Sequence, residues 1–399
     1  MTALYAFFII VLIMALGNML AVKTNSVISM LFSGSVIFLV LFLTGVLPRS
    51  IFADSTMLAV GAMLIPLLLV HIGTMMNVKQ LIQQWKTVLI ALAAIVGIVI
   101  FVVLIGQYVV GIETALVAAP PIAGGVIAGI QMGEAAASIG REDLQVLASL
   151  LVVVQGFVGY PVLSYAMRKE ANVVLEDYRS GTIQLAKVET TSNTEKTRGR
   201  FELPEKLNSS EWYLAKVAAV AVVAMLISRW AQSIAGYNVL DTNVLSLIFG
   251  VIVAELGLLE REPLTKANSY GFAMVALTVV IFNGLTGATV DILINLAWPI
   301  IITLALGTVG IVIFSGIVGK FLKVSPWMSI GIGITALIGF PGTFIIPGEV
   351  ASALAKTPDE KEIILQRTRP QVLVAGFVTV SIASVVLAGF LAPVLAGLN

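Results

Sequence analysis

Two carboxylates stand where a lipid-embedded chain is expected to avoid charge. The sequence reads Gly133-Glu134-Ala135-Ala136-Ala137-Ser138 and later Gly348-Glu349-Val350-Ala351-Ser352-Ala353, each phrase set in a Gly- and Pro-rich interruption of apolar sequence. An acidic residue at membrane depth marks an ion or substrate path by default. Placed just after a glycine, each Glu is expected in the first turn of a helix that restarts after a break. There the carboxylate and the carbonyls freed by the break suit Na⁺ or a proton. The same helix start favours an anion through its unpaired N–H groups, and a Glu in that turn can also do no more than cap the helix. We take Glu134 and Glu349 as cation-binding candidates, with Na⁺ at each or H⁺ in its place. Gln155 and Gln371 join them from near-matching positions in the two halves.

The interruptions supply the substrate-binding candidates. Gly124, Gly125 and Gly133 in the first, with Gly342 and Gly348 in the second, let bare backbone approach a ligand. Gln131 and Thr343 add uncharged polar groups at the same depth, where interhelical hydrogen bonding is their plain alternative. His71, followed on one helix face by Thr74 and Asn77, could bind a carboxylate or relay a proton, or could be a hydrogen-bonded core histidine. Asn283, Thr286 and Asp291 form the matching set in the second half. Arg367 and Arg369 precede Pro370 and are read as charges that fix orientation.

Composition narrows the chemistry. The chain has 399 residues, 59% hydrophobic and 11% charged, with a mean hydropathy of +1.04, which marks an integral membrane protein. Lys and Arg number 23 against 22 Asp and Glu, so no basic stripe suggests nucleic acid. With no Cys and one His, disulfides, thiolate sites, zinc centres and Ser-His triads are poorly supplied. An enzyme is not expected, and no cofactor beyond the coupling ion. The first apolar run, Leu4 to Val22, lacks a basic stretch before it and is read as a retained span.

At roughly 20 apolar residues per spanning helix, spans fall near 4–22, 27–47, 57–77, 87–111, 144–167, 213–236, 242–259, 271–288, 296–319 and 370–396. The stretches 114–138 and 326–355 are broken, by Pro120-Pro121 with Gly124-Gly125 and by Gly339-Phe340-Pro341-Gly342 with Pro347-Gly348. Either they are kinked spans, or they enter and leave on one side. Only the second choice puts Lys23, Lys79, Lys86, Arg261, Lys266, Lys320, Lys323, Lys356, Lys361, Arg367 and Arg369 on one face with the polar linker, as the positive-inside rule requires. This predicts an all-α membrane protein of about ten spans and two re-entrant hairpins, with both termini outside and a cytoplasmic linker, in the plasma membrane. The first half is 1–168, the linker 169–211 and the second half 212–399. Five spans per half invert the second half against the first, an arrangement that places substrate and ion sites where broken helices meet near the midplane.

The phrase Ile130-Gln131-Met132-Gly133-Glu134-Ala135-Ala136-Ala137 resembles the first hairpin of the glutamate:sodium symporters, Gly-Gly-His-Gly-Thr-Ala-Ala-Ala. Gly133 and the alanines carry over, while Glu134 stands where that family has Thr and Met132 where it has His. The relatives of these symporters, the 2-hydroxycarboxylate transporters, share the inverted five-span repeat. The resemblance implies Na⁺-coupled symport of a small carboxylate or amino acid by a homodimer in membrane lipid, through an elevator mechanism in which a mobile core (57–168 and 271–399) moves against a fixed scaffold (1–50 and 212–260). An exporter of a cationic or neutral amino acid, a membrane subunit of a Na⁺-pumping decarboxylase and a channel stay open beside it.

Overall fold

The structure is a computed structural model that describes residues 1–24, 27–75, 84–185, 209–235, 242–287 and 290–398. The described residues are helical with no strand, and eight helices are long and apolar enough to cross a membrane. The chain is an all-α, multi-pass membrane protein. Asn77, Lys79 and the linker charges between 186 and 208 lie outside the described residues.

The elements are α1 (Ala3–Lys23), α2 (Met30–Leu43), α3 (Ile51–Asp54), α4 (Met57–Thr74), α5 (Trp85–Ile98, continued by a π-helical segment Val99–Ile105), α6 (Gln107–Val110), α7 (Ile112–Ile122), α8 (Val126–Ser138) and α9 (Glu142–Arg179). Then come α10 (Ser210–Ala235), α11 (Thr242–Glu255), α12 (Pro263–Lys266), α13 (Tyr270–Asn283), α14 (Val290–Asn295), α15 (Ala297–Phe321), α16 (Pro326–Ile334), α17 (Gly342–Leu354), α18 (Pro358–Phe377) and α19 (Ser384–Ala396), the last two joined by a π-helical segment Val378–Ala383. Apart from α6 and α14 the order runs twice. Each time a long helix, a 14-residue helix and a four-residue helix precede two apolar helices long enough to cross a membrane (α13 by its 3₁₀ continuation to Gly287), a broken pair and a final long helix.

Two expected spans are shorter than a bilayer. α2 and α11 have 14 residues each, about 21 Å against a hydrocarbon core of about 30 Å. Ser29 caps α2 by accepting the Phe32 N–H at 3.2 Å, and Gly45 (φ +70°) and Gly257 (φ +67°) lie just past the ends of the two helices, both stops that apolar composition does not reveal. The linker, expected from 169, begins later: α9 runs on to Arg179 because Ala171, Val174 and Leu175 continue a buried stripe at helical spacing.

The described chain forms two compact units. Unit one comprises Met1–Val11, Ser50–Gln83 and Ala186–Asn283. In it α4 packs on α11 and α13 through glycines. A Cβ on Gly73 would lie 2.3 Å from the Leu247 carbonyl oxygen, one on Gly250 2.3 Å from that of Val70, and one on Gly61 2.3 Å from that of Ala276. Bare backbone crossings of this kind hold helices together in a solvent that gives no hydrophobic drive between them. Unit two comprises Leu12–Arg49, Gln84–Leu185 and Gly284–Asn399. There α5 crosses α15 at Gly97 and Gly310, where an added Cβ on either would lie 2.2 or 2.3 Å from the other's carbonyl oxygen. α9 runs through this unit in contact with α7, α8, α16, α17 and α18.

Candidate functional site

Unit two holds both interruptions. α7 and α8 are separated by Ala123, Gly124 and Gly125, and the two glycines have φ of +104° and +101°, a region side chains rarely enter. α16 tightens into a 3₁₀ turn at Thr335–Leu337, and Gly339 (φ +63°) and Pro341 separate it from α17. The two breaks touch. A Cβ on Gly124 would lie 2.7 Å from the Ala336 carbonyl oxygen and 2.6 Å from Val380 Cγ2, one on Gly125 2.5 Å from the Val380 carbonyl oxygen, and one on Gly339 3.0 Å from Val380 Cγ2. Val380 belongs to the π-helical segment between α18 and α19. Three stretches of irregular backbone therefore pack on one another, with Ile338 against Gly159 and Tyr160 against Gly342 from α9.

The broken pairs reach this point from opposite ends of α9. Glu113, in the first turn of α7, pairs with Arg141 beyond the end of α8, and Arg141 also holds Asp143 at 2.9 Å. Laid end to end, α7 and α8 would span about 36 Å; the pairing of Glu113 with Arg141 brings their outer ends together at the N-terminus of α9. At the other end, Glu170 accepts the Ser325 hydroxyl at the start of α16, and Arg179 pairs with Glu360 at 2.7 Å while the Lys356 N–H donates to Glu360 at 2.7 Å. Arg141 and Glu170 are about 40 Å apart along the axis of α9.

The two Glu residues do not start their helices. Glu134 lies eight positions past Val126 and Glu349 seven past Gly342. The positive-φ glycines set the breaks, whereas Pro347 and Gly348 are absorbed into α17, at the loss of the one helix hydrogen bond a proline cannot donate. Nor are the two equivalent. Glu134 is exposed. Glu349 Oε2 accepts the Met30 N–H at 3.1 Å, and its Oε1 is buried with no hydrogen-bond partner among the described residues.

Four of the residues singled out in the sequence share that condition. Gln131 Oε1, Gln155 Oε1, Thr343 Oγ1 and Glu349 Oε1 are all buried oxygens with no hydrogen-bond partner among the described residues. Each such atom costs about 1–3 kcal/mol, and native structures keep few of them without a reason. All four are oxygens, which suits a hard cation or the N–H groups of a ligand. The amide of Gln155 is given to the Val152 carbonyl at 3.4 Å and that of Gln371 to Arg367 at 3.0 Å. Among the described residues, no cluster of three or more His, Cys, Asp or Glu could hold a metal ion.

The other candidates stand apart. A Cβ on Gly133 would meet nothing nearer than Gln145 at 3.5 Å, so this glycine is not needed for a close approach. Gly348 is: Arg369 Nη2 lies 3.0 Å from the position of its missing Cβ, and the guanidinium stacks on Phe344 at 4.2 Å. His71 and Asn283 belong to unit one. His71 is buried, accepts the Leu264 N–H at Nδ1 (3.2 Å) and lies 5.0 Å from the Tyr270 ring, while Thr74 accepts the Glu262 N–H at 3.1 Å. Together they fasten the turn that leads into α12. Asn283 ends α13, half-buried.

Met30 and Val380 were not legible as site residues. Ser29 before an apolar run signals a helix start, but nothing nearby in sequence ties that start to Glu349. Val380 is one aliphatic residue among many.

No protein-family model matches this chain. No curated protein matches it significantly either.

Proposed function

We propose that the chain is a secondary active transporter that couples Na⁺ to the movement of a small carboxylate or amino acid, with its two broken helix pairs acting as re-entrant hairpins. The observation that carries this reading is the meeting of the breaks: Gly124, Ala336, Gly339 and Val380 in contact, approached from opposite ends of α9. Irregular backbone at membrane depth is tolerated where it is buried in protein or lines a cavity, and discontinuous helices meeting at mid-depth are the form that substrate and ion sites take in inverted-repeat transporters. The doubled element order supports an inverted repeat. Lys86, which donates to the Leu322 carbonyl at 3.0 Å, and Lys169, over Trp327 at 6.0 Å, join Arg179 at the C-terminal end of α9, which supports placing that end and the linker in the cytoplasm and both termini outside. A homodimer with an elevator motion, as in the resembling symporters, completes the proposal.

Of the two acidic residues, Glu349 is the one whose charge needs a counter-ion. It is not ion-paired among the described residues, and one of its oxygens is sealed from solvent. Carrying that charge uncompensated through a bilayer costs several kcal/mol, so the loaded carrier neutralises it with a cation. In proteoliposome uptake Glu349→Gln should abolish Na⁺ dependence, and the exposed Glu134→Gln should shift it far less. Unchanged Na⁺ dependence in Glu349→Gln would refute the assignment.

A further inference from the structure

Glu349 is also the acceptor that holds the start of another helix. Its Oε2 takes the N–H of Met30, the first residue of α2, while Ser29 Oγ takes the N–H of Phe32 at 3.2 Å. An N-terminal N–H has no acceptor within its own helix, so α2 depends on a carboxylate from distant sequence to satisfy one of its orphan donors. The dependence runs both ways, since the N–H and the positive end of the α2 dipole support a carboxylate that has no ion-pairing partner among the described residues.

We propose that Glu349 serves in turn as the anchor of α2 and as the seat of the coupling cation, so that loading the cation loosens the first turn of α2. The inference rests on the cation reading of Glu349 given above and adds to it a mechanical consequence. A carboxylate without a cation concentrates its charge on the Met30 N–H. With a cation at Oε1 that charge is shared, and the bond falls from a charge-assisted hydrogen bond toward an ordinary one, about half as strong. Coupling of this kind is reciprocal: whatever the cation takes from α2, removal of the α2 bond returns to the cation as affinity.

The local geometry provides a clean test. Met30 is the first helical position, where proline is favoured because its N–H is an orphan, and Ser29 has φ −73° and ψ 157°, the extended conformation that a residue before proline requires. Met30→Pro therefore deletes the donor and leaves the helix start intact, while Met30→Ala changes the side chain and keeps the donor. In a thermal-shift titration of the purified protein with NaCl against KCl, Met30→Pro should bind Na⁺ about tenfold more tightly than Met30→Ala, a change of about 1.4 kcal/mol. Equal or weaker Na⁺ affinity in Met30→Pro overturns the proposal. If Glu349→Gln still loses the Na⁺ response, the cation site survives that failure; if Glu349→Gln keeps it, the site itself is wrong and the anchor falls with it. Wild-type protein gives a second readout that needs no variant. Amide exchange across residues 30–34 should be faster in Na⁺ than in K⁺, and identical exchange in both salts likewise overturns the proposal.

Discussion

Replacing Gly124 with alanine puts a methyl group where two breaks and a π-helical segment already touch. Two costs add. The backbone at φ +104° lies on the side of conformational space that an L side chain resists, at about 1–2 kcal/mol. The methyl would lie 2.6 Å from Val380 Cγ2 and 2.7 Å from the Ala336 carbonyl oxygen, and overpacking of this order costs about 1–3 kcal/mol. The sum is about 2–5 kcal/mol. Two other glycines separate the terms. Gly140 has φ +78° and nothing within 4 Å, while Gly316 in α15 has neither a positive φ nor a neighbour within 4 Å. Gly140→Ala should show the backbone term alone, and Gly316→Ala should be neutral or slightly stabilising, as alanine is the better helix former. Thermal unfolding of the detergent-solubilised protein, followed by size-exclusion retention after heating, should rank the variants with Gly124→Ala lowest. Adding Val380→Ala to Gly124→Ala should recover part of the loss, because the methyl clash goes but the carbonyl of Ala336 stays. A Gly124→Ala variant no less stable than Gly140→Ala would refute the claim that the two breaks are in contact.

In unit one, Lys216 and Glu260 pair at 2.6 Å with side chains 13% and 5% exposed. Lys216→Met strands a buried carboxylate and should cost about 3–5 kcal/mol, whereas Lys216→Met with Glu260→Gln should be milder; equal unfolding temperatures for the single and double variants would contradict this. His71→Ala leaves the Leu264 N–H without its acceptor and should lower stability by about 1–3 kcal/mol, with the Na⁺ dependence of uptake unchanged. A stable His71→Ala protein with altered Na⁺ dependence would return His71 to the transport path.

The interruptions were visible in the sequence because Gly and Pro clusters inside apolar stretches have few other uses. Their exact ends were not. Pro347-Gly348 looks as disruptive as Gly339-Phe340-Pro341, yet α17 runs through the former; which glycine takes a positive φ is settled by the packing on Val380. The repeated Gly-Glu phrase pointed to Glu349, but not to the difference between it and Glu134. That difference comes from burial and from the Met30 N–H, a contact across 319 positions of sequence. His71 shows the opposite outcome. A lone histidine among aliphatic residues draws the eye as chemistry, and its ring turns out to satisfy a backbone donor on the turn into α12.

The crossing of α5 and α15 at Gly97 and Gly310 bears on how the two breaks can move. A contact made by backbone alone has no rotamers to rearrange, so it offers no slack: one helix cannot slide across the other without first pulling away from it. α5 leads through α6 into the first broken pair, and α15 leads directly into the second. Each arm that carries a break is thus held to the other along its length, most closely at this crossing. In the transporter proposed above, the two breaks would travel together, and a motion that exposed one of them to a new compartment would carry its counterpart along.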